Sequence, residues 1–266
     1  MSTLTSRHGP SVFLAALASC ALAVLVPGAA PRALAGPPFF TDDPEPVEPG
    51  HGELYLATQD VWARDLWSGT LPHVEFNYGP IEDVQLHVIA PLTYDQPDDT
   101  HTMQYGYGDT ELGVKWRPIH EDELFQGCPQ IGVFPLVELP SGDRSRGLGN
   151  GAIQVFLPIW LQKSWGDEKL PWTTYGGGGY WFSKGTGNQD YVFLGWELQK
   201  QITEKLTLGG ELFTATPDTV AGKQRTGFNL GGIYDFTEHY HLLFSAGRDF
   251  QGPNLLTFYL AFQFTF

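Results

Sequence analysis

The sequence predicts an all-β protein, a closed antiparallel transmembrane β-barrel of about twelve strands with short periplasmic turns and longer outer loops. Three observations predict it. Beyond its N-terminal region the chain falls into segments about ten residues long, each alternating in polarity and each closed by turn residues. Only 17% of its 266 residues are charged while 14% are aromatic, with 32 glycines, a composition that suits strands and tight turns better than helices. Helices could not carry the chain through a bilayer either, because no uninterrupted apolar run of roughly 20 residues follows the N-terminus.

Residues 1–35 read as a secretory signal peptide. Arg7 and His8 precede an apolar run over 12–26, and "ALAG" at 33–36 supplies small residues around a cut after Ala35. A lipobox reading of "LASC", ending at Cys20, competes with this; against it, the apolar run continues past that cysteine. The formal net charge is −15, and the leader removes Arg7 and Arg32 but no acid, so export makes the balance more negative. Nucleic acid is thereby excluded as a partner. Cys20 leaves with the leader and Cys128 remains alone, which allows no intramolecular disulfide. Cys128 reads as an inert loop thiol.

Residues 36–50, "GPPFFTDDPEPVEPG", are rich in proline and acid, which disfavours helix and ladder alike; they read as an extended periplasmic lead-in to a barrel over 51–266. Strands are expected at 51–62, 70–79, 82–93, 104–117, 129–139, 151–163, 170–183, 190–201, 204–215, 224–236, 238–249 and 254–266. An even number lets an exported barrel begin and end on the periplasmic side. In the sixth, Ile153, Val155, Leu157, Ile159 and Leu161 share a face; in the third, Val84, Leu86, Val88, Ala90 and Leu92 do. In the fourth, Leu112, Val114 and Trp116 oppose Tyr107, Asp109, Glu111, Lys115 and Arg117.

A soluble β-sandwich also alternates, with its apolar faces meeting inside. Turn lengths favour the membrane instead. Short connections ("YGPIED", "KQITEK", "DFTEHY") take turns with longer polar ones ("YDQPDDTHTMQ", "PSGDRSRGLGN", "TPDTVAGKQR"), and the exception is a long stretch over 118–128 on the short-turn side. Lipid supplies no hydrogen bonds, so the sheet must close and leave no edge. Twelve strands about 4.8 Å apart, tilted about 40°, give a backbone radius on the order of 12 Å, from which inward side chains subtract. Trp62, Trp116, Tyr180, Tyr234 and Tyr240 fall near strand ends, where aromatic girdles meet headgroups.

The same parity predicts a polar lumen. Its candidate solute-path residues are Glu75, Asp83 and His87 on the second and third strands, Asp109, Glu111, Lys115 and Arg117 on the fourth, and Glu138 on the fifth. Glu197, Glu211, Arg225 and Asp235 follow on later strands, with Lys205 as a further counter-charge. Buried carboxylates without partners are costly, so the excess of acids over bases argues for water inside. The expected partners are outer-membrane lipid, the barrel-assembly machinery and a small-molecule solute; cations and neutral solutes should pass more readily than anions. A structural or partner-binding barrel with a closed lumen is the alternative, and a barrel enzyme a third.

Enzyme chemistry finds little support. No histidine is followed two places later by serine, as a lipase dyad on one strand face would need, and "DDTH" (Asp98, Asp99, His101) is an acid cluster on a polar loop. His239 and His241 face one way but lack a third ligand, so no metal and no cofactor is expected. The glycine runs "YGGGGYW" and "GLGNG" lack the residues of a phosphate loop and read as room for neighbouring aromatics.

Three strings in order, "FFTDDPEPVEPGHGE" at 39–53, "GYGDTELGVKW" at 106–116 and "LPSGD" at 139–143, resemble the bacterial outer-membrane family named after the meta-pathway of phenol degradation. The matching positions are Thr41, Asp42, Asp43 and Pro44, then Gly108, Asp109, Gly113 and Lys115, then Leu139, Pro140 and Gly142. The resemblance implies an outer-membrane barrel that transports small molecules, with aromatic compounds suggested by the family name; it carries no catalytic residues. Finally, Phe262, Phe264 and Phe266 alternate to the end of the chain and resemble the C-terminal signal read by barrel-assembly machinery.

Overall fold

Backbone groups in an all-strand chain must find partners between strands, and here the described strands pair side by side until the sheet closes on itself. The computed structural model describes residues 38–63, 66–96 and 102–266. The leader, both proposed processing features and the Asp98, Asp99 and His101 cluster lie outside the described residues. Among the described residues fourteen strand segments run antiparallel: β1 (Gly52–Ala63), β2 (Leu66–Ile81), β3 (Val84–Gln96), β4 (Gln104–Tyr107), β5 (Thr110–Ile119), β6 (Gln130–Val133) and β7 (Leu136–Leu139). Then come β8 (Gln154–Gly166), β9 (Pro171–Ser183), β10 (Tyr191–Thr203), β11 (Leu206–Ala215), β12 (Arg225–Asp235), β13 (Tyr240–Gln251) and β14 (Leu256–Thr265).

The β4–β5 and β6–β7 pairs are each one stave interrupted by two residues, since β3 pairs with both β4 and β5 and β8 pairs with both β6 and β7. Twelve staves result. The circle closes where β1 meets β14, from Glu53 opposite Thr265 to Trp62 opposite Leu256. Gly52 and Phe266 exchange backbone hydrogen bonds of 2.8 and 3.0 Å at the end of this seam. Turns at 82–83, 204–205 and 236–239 lie on the same rim as that seam end, here the near rim, together with the longer connection 120–129. The far rim carries the loops 140–153, 184–190 and 216–224.

The pattern of burial is that of a protein turned inside out. Large apolar side chains such as Leu86, Val114, Leu157, Leu194, Leu212 and Leu230 stand exposed on the outer face, while Glu53, Asn77, Gln85, Lys115, Gln154, Glu211 and Gln263 are buried within. On β14 the alternation is strict: Leu260 is 49% and Phe266 51% exposed, whereas Gln263 is 0%. Exposed aromatics collect towards both ends of the staves, Trp62, Trp67 and Tyr180 near the far rim and Tyr78, Trp116 and Tyr234 near the other.

Three expectations about parity and placement change. The break at Gly108 and Asp109 shifts β4 by one residue relative to β5, so Tyr105 and Tyr107 point outward where Leu112, Val114 and Trp116 also do. A one-residue slip sends every side chain to the other face, which is why Tyr107 does not join Glu111 inside. Asp83 is not within a strand. It occupies the turn between β2 and β3 with φ of 61°, a left-handed conformation that Asp tolerates. Lys205 likewise sits in the exposed turn between β10 and β11, not in the lumen.

Candidate functional site

The interior is occupied by the chain's own lead-in. Residues 38–48 run along the inside of the barrel wall, and the wall side chains that meet them are those that face inward by strand parity. At the near-rim end, the Val47 amide donates to Gln85 Oε1 (2.9 Å) and Glu45 accepts from Gln162 Nε2 (3.1 Å). Arg117 Nη1 stands 3.6 Å from Glu45 Oε1. Further in, Lys115 Nζ lies 3.1 Å from Asp42 Oδ1 and 3.3 Å from Asp43 Oδ1, above the Phe134 ring at 5.1 Å. Lys115 is buried, so these two carboxylates replace water around its ammonium.

Across the lumen, Glu211 takes four hydrogen bonds. The Phe40 amide (2.9 Å) and Asn229 Nδ2 (2.6 Å) donate to Oε1, while the Thr41 amide (2.8 Å) and hydroxyl (2.6 Å) donate to Oε2. Phe40 packs edge-on to Phe213, and the Arg225 guanidinium lies over both rings. Ser245 Oγ donates to the Pro38 carbonyl at 2.5 Å. Two inner-face glycines make this approach possible. A Cβ at Gly195 would stand 2.0 Å from Thr41 Oγ1, and one at Gly132 would stand 2.8 Å from Pro44 Cβ.

The other sequence-predicted residues form separate small networks. His87 lies between Asn77 Oδ1 (2.7 Å) and Glu111 Oε1 (3.0 Å), with Glu75 at 3.5 Å. Glu138 accepts from Gln154 and Asn150. Asp109 holds the far-rim loop by accepting from the Gly142 and Asn150 amides, so the Gly108 break and the Leu139, Pro140 and Gly142 corner are one construction. Arg225 pairs with Asp249 at 3.0 Å near the far rim. Asp235 accepts from His241 at 2.6 Å; His239, in the adjacent turn, meets the Thr265 carbonyl instead, so the two histidines do not converge.

Asp83 bonds Arg117 (2.9 Å) and His120 (2.9 Å) at the near rim. Burial tends to raise its carboxyl, but the hydrogen bonds from Arg117 and His120 outweigh it and hold the group below the usual carboxylate range. Glu197 is the contrary case. It is fully buried opposite Glu211, and among the described residues neither of its oxygens accepts a well-formed hydrogen bond; the Tyr175 hydroxyl and Trp160 Nε1 are similarly unpartnered.

An inner aromatic ladder was not anticipated. Phe156 stacks on Trp181 (4.7 Å, 9°) and Trp181 on Tyr191 (5.8 Å, 11°), with Trp160 and Phe193 beside them. The signal lay in the unused half of a parity already read: if Val155, Leu157 and Ile159 face out, then Phe156 and Trp160 face in.

With this geometry the chain can be set beside known proteins. No family model and no curated protein sequence matches it. Among solved structures, an outer membrane channel from Pseudomonas putida F1 superposes with a TM-score of 0.59 at 15% identity, over 81% of this chain and 94% of that one. The KdgM porin in complex with disordered oligogalacturonate gives 0.53 at 9%, over 80% and 99%. The NanC porin gives 0.51 at 9%, over 79% and 98%. The fold is shared with outer-membrane channels and porins. At such identities the likeness speaks for the twelve-stave barrel and for nothing finer.

Proposed function

We propose that this protein is an outer-membrane channel for small solutes, with a narrow lumen biased toward cations and neutral molecules. The observation that carries the reading is the inverted distribution of polarity on a closed barrel: an apolar outer face with aromatics toward both rims, around a charged interior. Lipid outside and water inside satisfy that arrangement together. Known channels and porins with the same fold support it, as do the lead-in, Lys-bearing and corner motifs that resemble the meta-pathway family.

Aromatic solutes are the finer part of the proposal. The Phe156, Trp181 and Tyr191 ladder lines one side of the lumen with aromatic surface, and a planar molecule that packs against a ring edge there would gain about 0.5–1.5 kcal/mol per aromatic pair beyond area burial. A closed structural barrel is favoured instead by the lead-in inside the lumen. Planar-bilayer recording and solute uptake into proteoliposomes separate the two. The channel reading expects discrete conductance steps with cation preference, and entry of phenol ahead of a non-aromatic solute of equal size. Silent bilayers and impermeable vesicles would establish the closed barrel.

A further inference from the structure

We infer that the lead-in, residues 38–48, is the element that sets the bore and the charge preference of this barrel, held in place as a fixed strap by Lys115, Arg117 and Glu211. The inference rests on the channel reading above and adds to it a named specificity element.

The strap is attached to the wall along its whole length. Pro38 is bound by Ser245, Phe40 and Thr41 by Glu211, Asp42 and Asp43 by Lys115, Glu45 by Arg117 and Gln162, and Val47 by Gln85. These anchors come from β3, β5, β8, β11 and β13, on opposite sides of the barrel, so the strap crosses the lumen instead of following one stave. The bare surfaces at Gly132 and Gly195 show the wall shaped to this chain, since a methyl group at either would collide with it.

Charge gives the strap its second role. It brings Asp42, Asp43 and Glu45 into the lumen, where Lys115 and Arg117 are the basic groups that meet them. With the strap in place those two bases are neutralised and the crossing is acidic. Without it, Lys115 would lose both of its carboxylates and Arg117 would keep only Asp83, around a wider bore set by a backbone radius of roughly 12 Å less the inward side chains. Size and sign of selectivity are therefore coupled in one segment.

The test compares the intact barrel with one lacking residues 39–47, both refolded into planar bilayers, with folding confirmed by the heat-dependent gel shift of a closed barrel. We expect single-channel conductance to rise on the order of threefold or more, and the cation-over-anion permeability ratio to fall. A full-length variant, D42N/D43N/E45Q, covers the case in which the deletion does not fold; it should lower the permeability ratio with the strap's length retained. If the intact barrel is silent and the deletion conducts, the strap assignment stands and the channel reading falls for the intact protein. Equal conductance in both, or none in either, overturns the strap assignment, as does an unchanged permeability ratio in the triple variant.

Discussion

At the scale of single residues, the interior is governed by whether each buried charge has company. Glu211 and Glu197 face each other across β10 and β11, yet Glu211 accepts four hydrogen bonds and Glu197 accepts none of good geometry. An unsatisfied buried polar group costs about 1–3 kcal/mol, and more when charged. Glu197→Gln should accordingly raise the stability of the folded barrel in a urea series by an amount on that order, while Glu211→Gln should lower it by turning into a donor one of the two oxygens that accept from Phe40, Asn229 and Thr41. A Glu197→Gln midpoint equal to wild type would mean that the carboxyl already carries a proton or a bound cation. Much of this was legible beforehand: Glu197 and Glu211 follow from strand parity alone. Their opposite circumstances were not, because what separates them is Thr41, distant in sequence by 170 positions.

Among elements, β14 shows how far period-two reading extends. Its even-numbered residues face out and its odd-numbered ones face in, as the sequence alone required, and the seam with β1 supplies the edge closure that lipid demands. Phe266 exchanges backbone bonds with Gly52 and its ring stacks on Phe264 and Phe76. Deleting Phe266 should therefore reduce assembled barrel in the outer membrane several-fold while leaving synthesis unchanged, measured by pulse labelling and heat-shift gels. Wild-type assembly would remove the assembly role and leave a seam contact only. Elsewhere the period misled. The Gly108 and Asp109 break carries only a glycine and an acid of the kind found elsewhere in these strands, so period two alone puts Tyr107 on the wrong face, and the lead-in, lacking any period, gives no hint of the wall it meets. Its prolines excluded a ladder, and nothing in its run of acids named Lys115 and Arg117 as the bases they would meet.

For the whole molecule, the decisive property is which side of the barrel is solvated by what. A soluble barrel and a membrane barrel can share strand number, closure and register; they differ in the cost of charge on the outer face. Leu230 is suited to measure that cost, because it lies midway along β12 and is 63% exposed, so replacing it sacrifices little packing. In water, Leu230→Arg would change stability by no more than about 0.5 kcal/mol, as surface substitutions do. At the centre of a bilayer the same arginine should cost about 2–4 kcal/mol. Val220→Arg, on an exposed far-rim loop, provides the comparison and should be neutral in either solvent. Equilibrium folding into phospholipid vesicles, followed by tryptophan fluorescence across a urea series, reads both variants on one scale. A large penalty at Leu230 with none at Val220 is the signature of an outer face immersed in lipid; equal and small effects would return the apolar band to water and with it the case for a channel.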